Sequence, residues 1–311
     1  MDPLSSVLRT LHPQHVLFAG LRAGQAWALA FPPPPGIKFN AVVEGRCWLS
    51  VEGLPQAIRL DAGDCFLLTQ QRGFALASDP GLPREPAEPL YEAAPAGIAE
   101  HGSADQFFLV GGRFTFATQA RLLFDGLAPA IVVRGASEQA ALLRWALPLL
   151  ARELAEPAPG SALAIEHLGQ LMLIQALRLH LTDTQQTFPN WLRVLSDHQL
   201  APAIQAIHAD PARRWTVAEL AAIARMSRST LALKFKTRAG LAPLEYITRW
   251  RMWLATTALS RGDQTISALA AQLGYLSDSA FSHAFRRVLG QSPRAYRALT
   301  QAVPKRPCKG S

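Results

Sequence analysis

Residues 227–240 read SRSTLALKFKTRAG, and residues 277–290 read SDSAFSHAFRRVLG. The two align at an offset of 50, pairing Ser227 with Ser277, Leu231 with Phe281, Phe235 with Phe285 and Gly240 with Gly290; Pro243/Pro293 and Tyr246/Tyr296 continue the series. Upstream, Thr216-Val-Ala-Glu-Leu-Ala-Ala matches Thr265-Ile-Ser-Ala-Leu-Ala-Ala at an offset of 49, so one residue has been added in the turn between. A period near 50 marks a reused supersecondary unit. Each copy predicts a helix of about eight residues, a short turn, a serine-capped second helix and a Gly-x-x-Pro stop. Serine oxygen accepts from the free N–H groups of a first helical turn, and glycine tolerates the left-handed conformation that ends a helix before proline forbids its continuation. Two short helices about a tight turn form a helix-turn-helix unit.

The helical period places Leu231 and Phe235 inward together with Leu220 and Ile223. The opposite face then holds Ser229, Ala232, Leu233 and Lys236, and in the second copy Ser279, Ser282, His283 and Arg286. Arg228, Lys234 and Arg287 flank those faces, where a phosphate lies if the helix enters a groove. A generic helical repeat also has a polar outer face, so charge must discriminate. Residues 201–311 carry 17 Lys and Arg against 5 Asp and Glu, and residues 1–200 carry 14 against 18, so the net charge of +8 resides in the C-terminal third. Such polarisation points one part of the chain at a polyanion.

From about 200 to 298 the chain resembles the paired helix-turn-helix domain of the AraC/XylS family of bacterial transcription regulators. The resemblance is carried by HADPARRWTVAELAAIARMSRSTLALKFKTRAGLAPLEYI, the connecting TRWRMWLATTALSRG, and TISALAAQLGYLSDSAFSHAFRRVLGQSPRAYR, whose signature runs from Ala270 to Arg297. It implies two recognition helices, about 227–238 and 277–288, entering successive major-groove segments of double-stranded DNA on one face of the duplex. A connecting helix of 17–18 residues, about 26 Å long, is compatible with reading heads one turn of DNA apart. Two positions depart from the family. Where Leu233 stands the family frequently has arginine, which binds guanine bidentately; Ala232 and Leu233 instead suit thymine methyls. His283 is likewise an unusual choice, so polar readout is expected from Ser279, Ser282, His283 and Arg286.

The first 135 residues have a different texture. Short apolar runs such as HVLFAGL, IKFNAVVEG, CWLSVEG and QFFLVGGRFTF, punctuated by Gly, Pro and Asp, predict an all-β sandwich or barrel of jelly-roll type. The tract 79–105 lacks either period and reads as a long loop. DPLSSVLRTL, GIKFNAVVEGRCWLSVEG and LDAGDCFLLTQQRGFALASDP resemble the cupin-type sensor domain of one branch of the same family. Metal-binding cupins carry two histidines and a glutamate around the second stretch and a histidine in the third. Here those stretches offer Asn40, Glu44 and Phe74, so neither a metal nor another cofactor is expected. His12 and His15 are read as lying before the barrel and His101 as lying in the long loop. Trp27, Phe39, Trp48 and Phe66 are the candidate walls of a small-molecule pocket, although aromatics at such positions are more often plain core.

Residues 137–181 predict two helices capped by Ser137 and Ser161, with a kink at Pro148 and too many apolar positions in the second for one buried stripe. That surplus, and the family resemblance, imply a helical dimerisation segment ahead of a linker at 182–190. The expected architecture is therefore multidomain: an all-β cupin-like sensor over 1–135, a helical dimerisation segment and linker over 136–190, and an all-α double helix-turn-helix domain over 200–300. The apolar share of 49% suffices for a core in each domain. Cys47, Cys65 and Cys308 are odd in number and form no Cys-x-x-Cys pair, which argues against a disulfide framework or zinc knuckle. The opening MDPLSSVLRTLHP lacks the apolar core of a signal peptide, and 162–181 is broken by polar residues short of a membrane span, so a cytoplasmic location is expected. The functional expectation is a ligand-responsive transcription regulator and not an enzyme: a homodimer on DNA, an unknown small-molecule effector, and RNA polymerase as a partner if it activates. A constitutive regulator whose β-domain only dimerises, and an enzyme with an appended DNA domain, are the alternatives.

Overall fold

The computed structural model describes residues 15–94, 97–115, 127–182, 194–195, 197–262 and 264–302. The opening DPLSSVLRTL, His12, the His15 side chain, Cys308 and residues 183–190 of the expected linker lie outside the described residues. The described chain divides into two compact units, one holding the strands and the helices up to 182, the other the helices from 201 onward.

In the first unit, alternation along β4 (Arg46–Val51) turns Cys47, Leu49 and Val51 inward and leaves Trp48 and Ser50 on the other face. β4 joins β5 (Ile58–Asp61), β7 (Phe74–Ala77), β2 (Ala28–Phe31) and β8 (Glu85–Pro86) in a sheet of order β5-β4-β7-β2-β8. The second sheet has the order β11-β6-β3-β10-β1-β9, from β11 (Ala130–Val133), β6 (Cys65–Leu68), β3 (Ile37–Glu44), β10 (Phe107–Thr115), β1 (His15–Ala23) and β9 (Ile98–His101). One apolar cluster between them draws on both sheets, including Leu21, Val42, Phe66 and Leu109 from the six-stranded sheet and Leu29, Leu49, Leu60 and Leu76 from the five-stranded one. Burying that cluster is the main stabilising term for the unit.

The outer face of the six-stranded sheet is covered as well. After α1 (Glu88–Glu92), the helices α2 (Ala141–Ala155) and α3 (Ser161–Thr182) pack on each other, α2 also against β1 and β3, and α3 against β1 and β11. Phe18 is wedged between Gly112 of β10 and Gly169 of α3, and a Cβ at either glycine would overlap its ring. The two helices thus share one compact unit with the sheets. Ser137 does not cap a helix, because its hydroxyl donates to the Arg134 carbonyl at 2.9 Å. Ser161 is the first residue of α3; its oxygen accepts from the Ala158 N–H at 2.7 Å and donates to Glu153 at 2.6 Å, tying α3 to α2. Pro148 lies inside α2 as expected.

The tract 79–105 is not the structureless loop its composition suggests. β8 and β9 pair in parallel with β2 and β1, and α1 lies between them. Parallel edge pairing needs only extended backbone, so it leaves no alternating side-chain signature in a Pro/Ala-rich segment. His15 accordingly opens β1 instead of preceding the barrel, and His101 ends β9.

The second unit comprises α4 (Ala201–Ala209), α5 (Val217–Ile223), α6 (Arg228–Ala239), α7 (Pro243–Arg261), α8 (Ile266–Gln272), α9 (Asp278–Leu289) and α10 (Pro293–Ala302). The repeat is a packing repeat too. Phe235 meets Tyr246 at 5.7 Å and 72°, and Phe285 meets Tyr296 at 5.6 Å and 74°. Edge-on aromatic pairs of this kind add specificity to plain burial. His208 of α4 stacks on Trp250 at 3.9 Å and bonds the Tyr246 hydroxyl at 2.8 Å; burial pushes its imidazole down to about 3, so it is a neutral core residue.

Candidate nucleic-acid interface

Both α6 and α9 are bounded by the chemistry their sequence announces. Ser227 accepts from the Thr230 N–H at 3.1 Å and Ser277 from the Ala280 N–H at 3.2 Å. Gly240 and Gly290 end the two helices at φ of 73° and 74°. The preceding helices start at Thr216 and Thr265, and Thr216 completes a reciprocal capping box with Glu219. The Thr216 N–H, the Arg213 guanidinium and the Thr216 hydroxyl, each donating to the half-buried Glu219 carboxylate at 2.8 Å, hold it down at about 2.

The turns also correspond. Arg225 in the first copy and Gly274 in the second take the left-handed conformation, at φ of 52° and 77°. The next N–H bonds back in the same way, Met226 to the Ala221 carbonyl and Tyr275 to that of Ala270. The added residue is therefore Leu276, which lies just ahead of the second cap and is 83% exposed.

With the core faces fixed by Leu231, Phe235, Phe281 and Phe285, all fully buried, the opposite faces follow. Arg228, Ser229, Ala232, Leu233 and Lys236 are exposed on α6, as are Ser279, His283, Arg286 and Arg287 on α9, with Ser282 half-buried. Two expectations need correction. Ile223 is 37% exposed and does not join Leu220 in the core, because it is the last residue of α5. Lys234 does not stand free for a phosphate: its ammonium bonds Gln199 and lies 4.0 Å from Asp197, which also pairs with Arg238 at 3.4 Å. Asp197 is buried and accepts from the Gln199 and Leu200 N–H groups, so this contact belongs to the packing ahead of α4. In the second copy the position of Lys234 is the buried Ala284.

The connecting helix α7 has 19 residues, or about 28 Å of rise. It is not the sole tie between the copies. Arg251 on α7 donates to the carbonyls of Pro211, Ala212 and Arg213, and Gly274 of the second turn packs against the Ala212 carbonyl so closely that a Cβ would overlap it.

In the β-unit the four expected pocket residues separate. Trp27 and Phe66 belong to the interior cluster. Phe39 is buried on the opposite face of β3, in register with Gly112, on the side that the helices cover, and Trp48 faces away from Cys47 and Leu49. The ring series that shares the interior is instead Phe66, Phe74, Phe31 and Tyr91, with Trp27 against Phe107. No group of three metal-ligating side chains occurs among the described residues. Burial pushes the Cys47 and Cys65 thiols up to about 12, which leaves both protonated and unreactive. Among the described residues no helix is long and apolar enough to cross a membrane.

A cupin family model matches residues 2–182 and a helix-turn-helix domain model matches residues 220–299. Two proteins described as putative AraC-like transcription regulators, from Streptomyces lividans and Streptomyces antibioticus, are each 45% identical over 298 residues, covering 96% of this chain and 98% of their own. Among solved structures, the DNA-binding domain of the transcriptional factor AdpA in complex with a target DNA aligns at 35% identity with 33% of this chain and 94% of its own, at a TM-score of 0.32.

Proposed function

The chain belongs to the AraC-like transcription regulators, and on that premise we propose that α6 and α9 enter successive major-groove segments of its operator and divide the reading between them. The observation that carries this reading is the pair of equivalent exposed rows, Ser229, Ala232, Leu233 and Lys236 on α6 against Ser279, Ser282, His283 and Arg286 on α9, held by matching caps and stops. Ala232 and Leu233 pack on thymine methyls, whereas His283 and Arg286 bond base edges. Arg228 and Arg287 meet phosphates and set the register. A binding scan with every base substituted in each half-site tests the division. The expected result is that bases facing α9 lose affinity with His283→Ala or Arg286→Ala; a dominant guanine facing α6 that survives Leu233→Ala would overturn it.

The same proposal assigns the β-unit to sensing a small-molecule effector, with Trp27 and Phe66 among its walls, and not to catalysis. α2 and α3 supply the homodimer contact through their exposed Trp145 and Leu163. The protein then works in the cytoplasm, and meets RNA polymerase if it activates. An effector acts by binding one arrangement of dimer and DNA domains better than another. Metabolite screening by thermal shift separates this from a constitutive regulator, because a ligand that prefers the native state raises its melting temperature. Stoichiometric metal in the purified protein would favour the enzyme alternative.

A further inference from the structure

Among the described residues, the interior face of the β-unit carries charge that no acidic side chain neutralises. Lys38 of β3 stands opposite Leu68 of β6 and Arg113 of β10, and Asn40 opposite Phe66 and Gly111. Directly opposed residues share a sheet face. Because Phe66 and Leu68 belong to the interior cluster, Lys38, Asn40 and Arg113 point inward with them. Lys38 and Asn40 converge over Gly111, where a Cβ would sit 2.5 Å from Asn40 Oδ1 and 2.9 Å from Lys38 Nζ.

Among the described residues these groups lack partners. Asn40 is 1% exposed, yet its Nδ2 donates to nothing, and Arg113 Nε is likewise buried and unbonded. Among the described residues no carboxylate pairs with either cation. Desolvation, and then the charge of Arg113, push the Lys38 ammonium down to about 8, with no acidic neighbour opposing the shift. Two adjacent cations and an orphaned amide inside an apolar barrel are destabilising by themselves. A bound anion would reverse every one of those penalties. Next to the cradle, Phe66 meets Phe74 edge-on at 6.3 Å, and Phe74 stacks on Phe31 at 4.6 Å, so the surroundings of the charge are aromatic.

We propose that Lys38, Arg113 and the Asn40 amide form the head-group site for an organic monocarboxylate whose apolar body lies along Phe66 and Phe74. This names the chemical class of the effector and rests on the effector reading above. The two cations supply charge-assisted hydrogen bonds, and the unbonded Asn40 Nδ2 a third donor.

The test uses the full chain, with thermal shift and calorimetric titration against aromatic and straight-chain monocarboxylates, starting with benzoate and octanoate. Benzamide and octanamide are the uncharged controls, and inorganic phosphate is the bare-anion control. The expected result is that acids raise the melting temperature and amides do not. Lys38→Met and Arg113→Met should each weaken acid binding by about tenfold or more, while raising the melting temperature of the unliganded chain. A purely structural role for these cations predicts the reverse for the unliganded chain. Equal effects of acids and amides, unchanged acid binding in both variants, phosphate binding without acid binding, or no acid-dependent shift would each overturn the proposal. If Lys38→Met does not fold, Lys38→Gln and Arg113→Met carry the same comparison. Acids that bind at Lys38 but leave operator affinity unaltered would retain the site and remove the effector reading. Neutral metabolites that bind and alter operator affinity while all acids fail would do the opposite.

Discussion

Lys38 holds its ammonium beside Arg113, and that arrangement makes stability depend on pH in a definite direction. Its ordinary value of 10.5 falls to about 8 in the folded chain, so between those pH values the unfolded chain keeps a proton that the native chain has lost. The penalty is fully present below about pH 8, on the order of 3 kcal/mol, and is relieved as pH rises toward 10.5. Denaturant melts at pH 7.5 and pH 10 should show the wild type gaining on Lys38→Met; parallel changes in both would refute the assignment. The lysines of α6 make a second contrast. Lys236 is exposed and Lys234 is engaged with Asp197 and Gln199. Lys236→Met should reduce the salt slope of DNA binding by about one, and Lys234→Met should leave the slope unchanged while lowering thermal stability. Equal slopes for the two variants would place Lys234 on the phosphates after all.

At the scale of elements, the two copies solve the same turn with different residues. Arg225 takes a left-handed conformation that costs a non-glycine residue about 1 kcal/mol, so Arg225→Gly should stabilise the chain by a few tenths to about 1 kcal/mol. The same conformation at Gly274 has the Ala212 carbonyl against it, and Gly274→Ala should cost several times as much as the strain alone. Gly290→Ala, with open space around its Cβ, should cost only about 1 kcal/mol. Urea midpoints of the three variants give the ranking, and a Gly274→Ala no worse than Gly290→Ala would show that the second turn does not press on the 211–213 segment. These elements were legible in sequence because a cap or a stop acts within four residues of itself. The strands β8 and β9 were not, since edge pairing through backbone groups asks nothing of the side chains.

For the whole molecule, charge polarisation should set the behaviour on DNA. The excess of 17 basic over 5 acidic residues after position 200 implies affinity that falls steeply with salt, and a salt-independent affinity would contradict groove binding. Trp145 and Leu163 leave apolar surface exposed on α2 and α3. If the proposed dimer uses that surface, the double variant Trp145→Asp, Leu163→Asp should sediment as a monomer with its β-unit intact. A dimer that persists in that variant places the contact elsewhere.

The sequence by itself determined the internal repeat, the helix limits within it, the faces of α6 and α9 and the all-β texture ahead of them. Each follows from chemistry local to the chain: serine and threonine caps, glycine stops, and a helical period that fixes the outer face once Leu231 and Phe235 are inside. Only the tertiary structure decided which side chains of the β-unit face its interior. β3 is buried on both faces, between the other sheet and the helices, so its alternation is erased and Phe39 cannot be distinguished from an inward residue. Register with β6 and β10 resolves it, turning Phe39 out and Lys38 and Asn40 in. The partner of Lys234 was hidden for the same reason: Asp197 lies far back in the chain, and packing alone brings the two together.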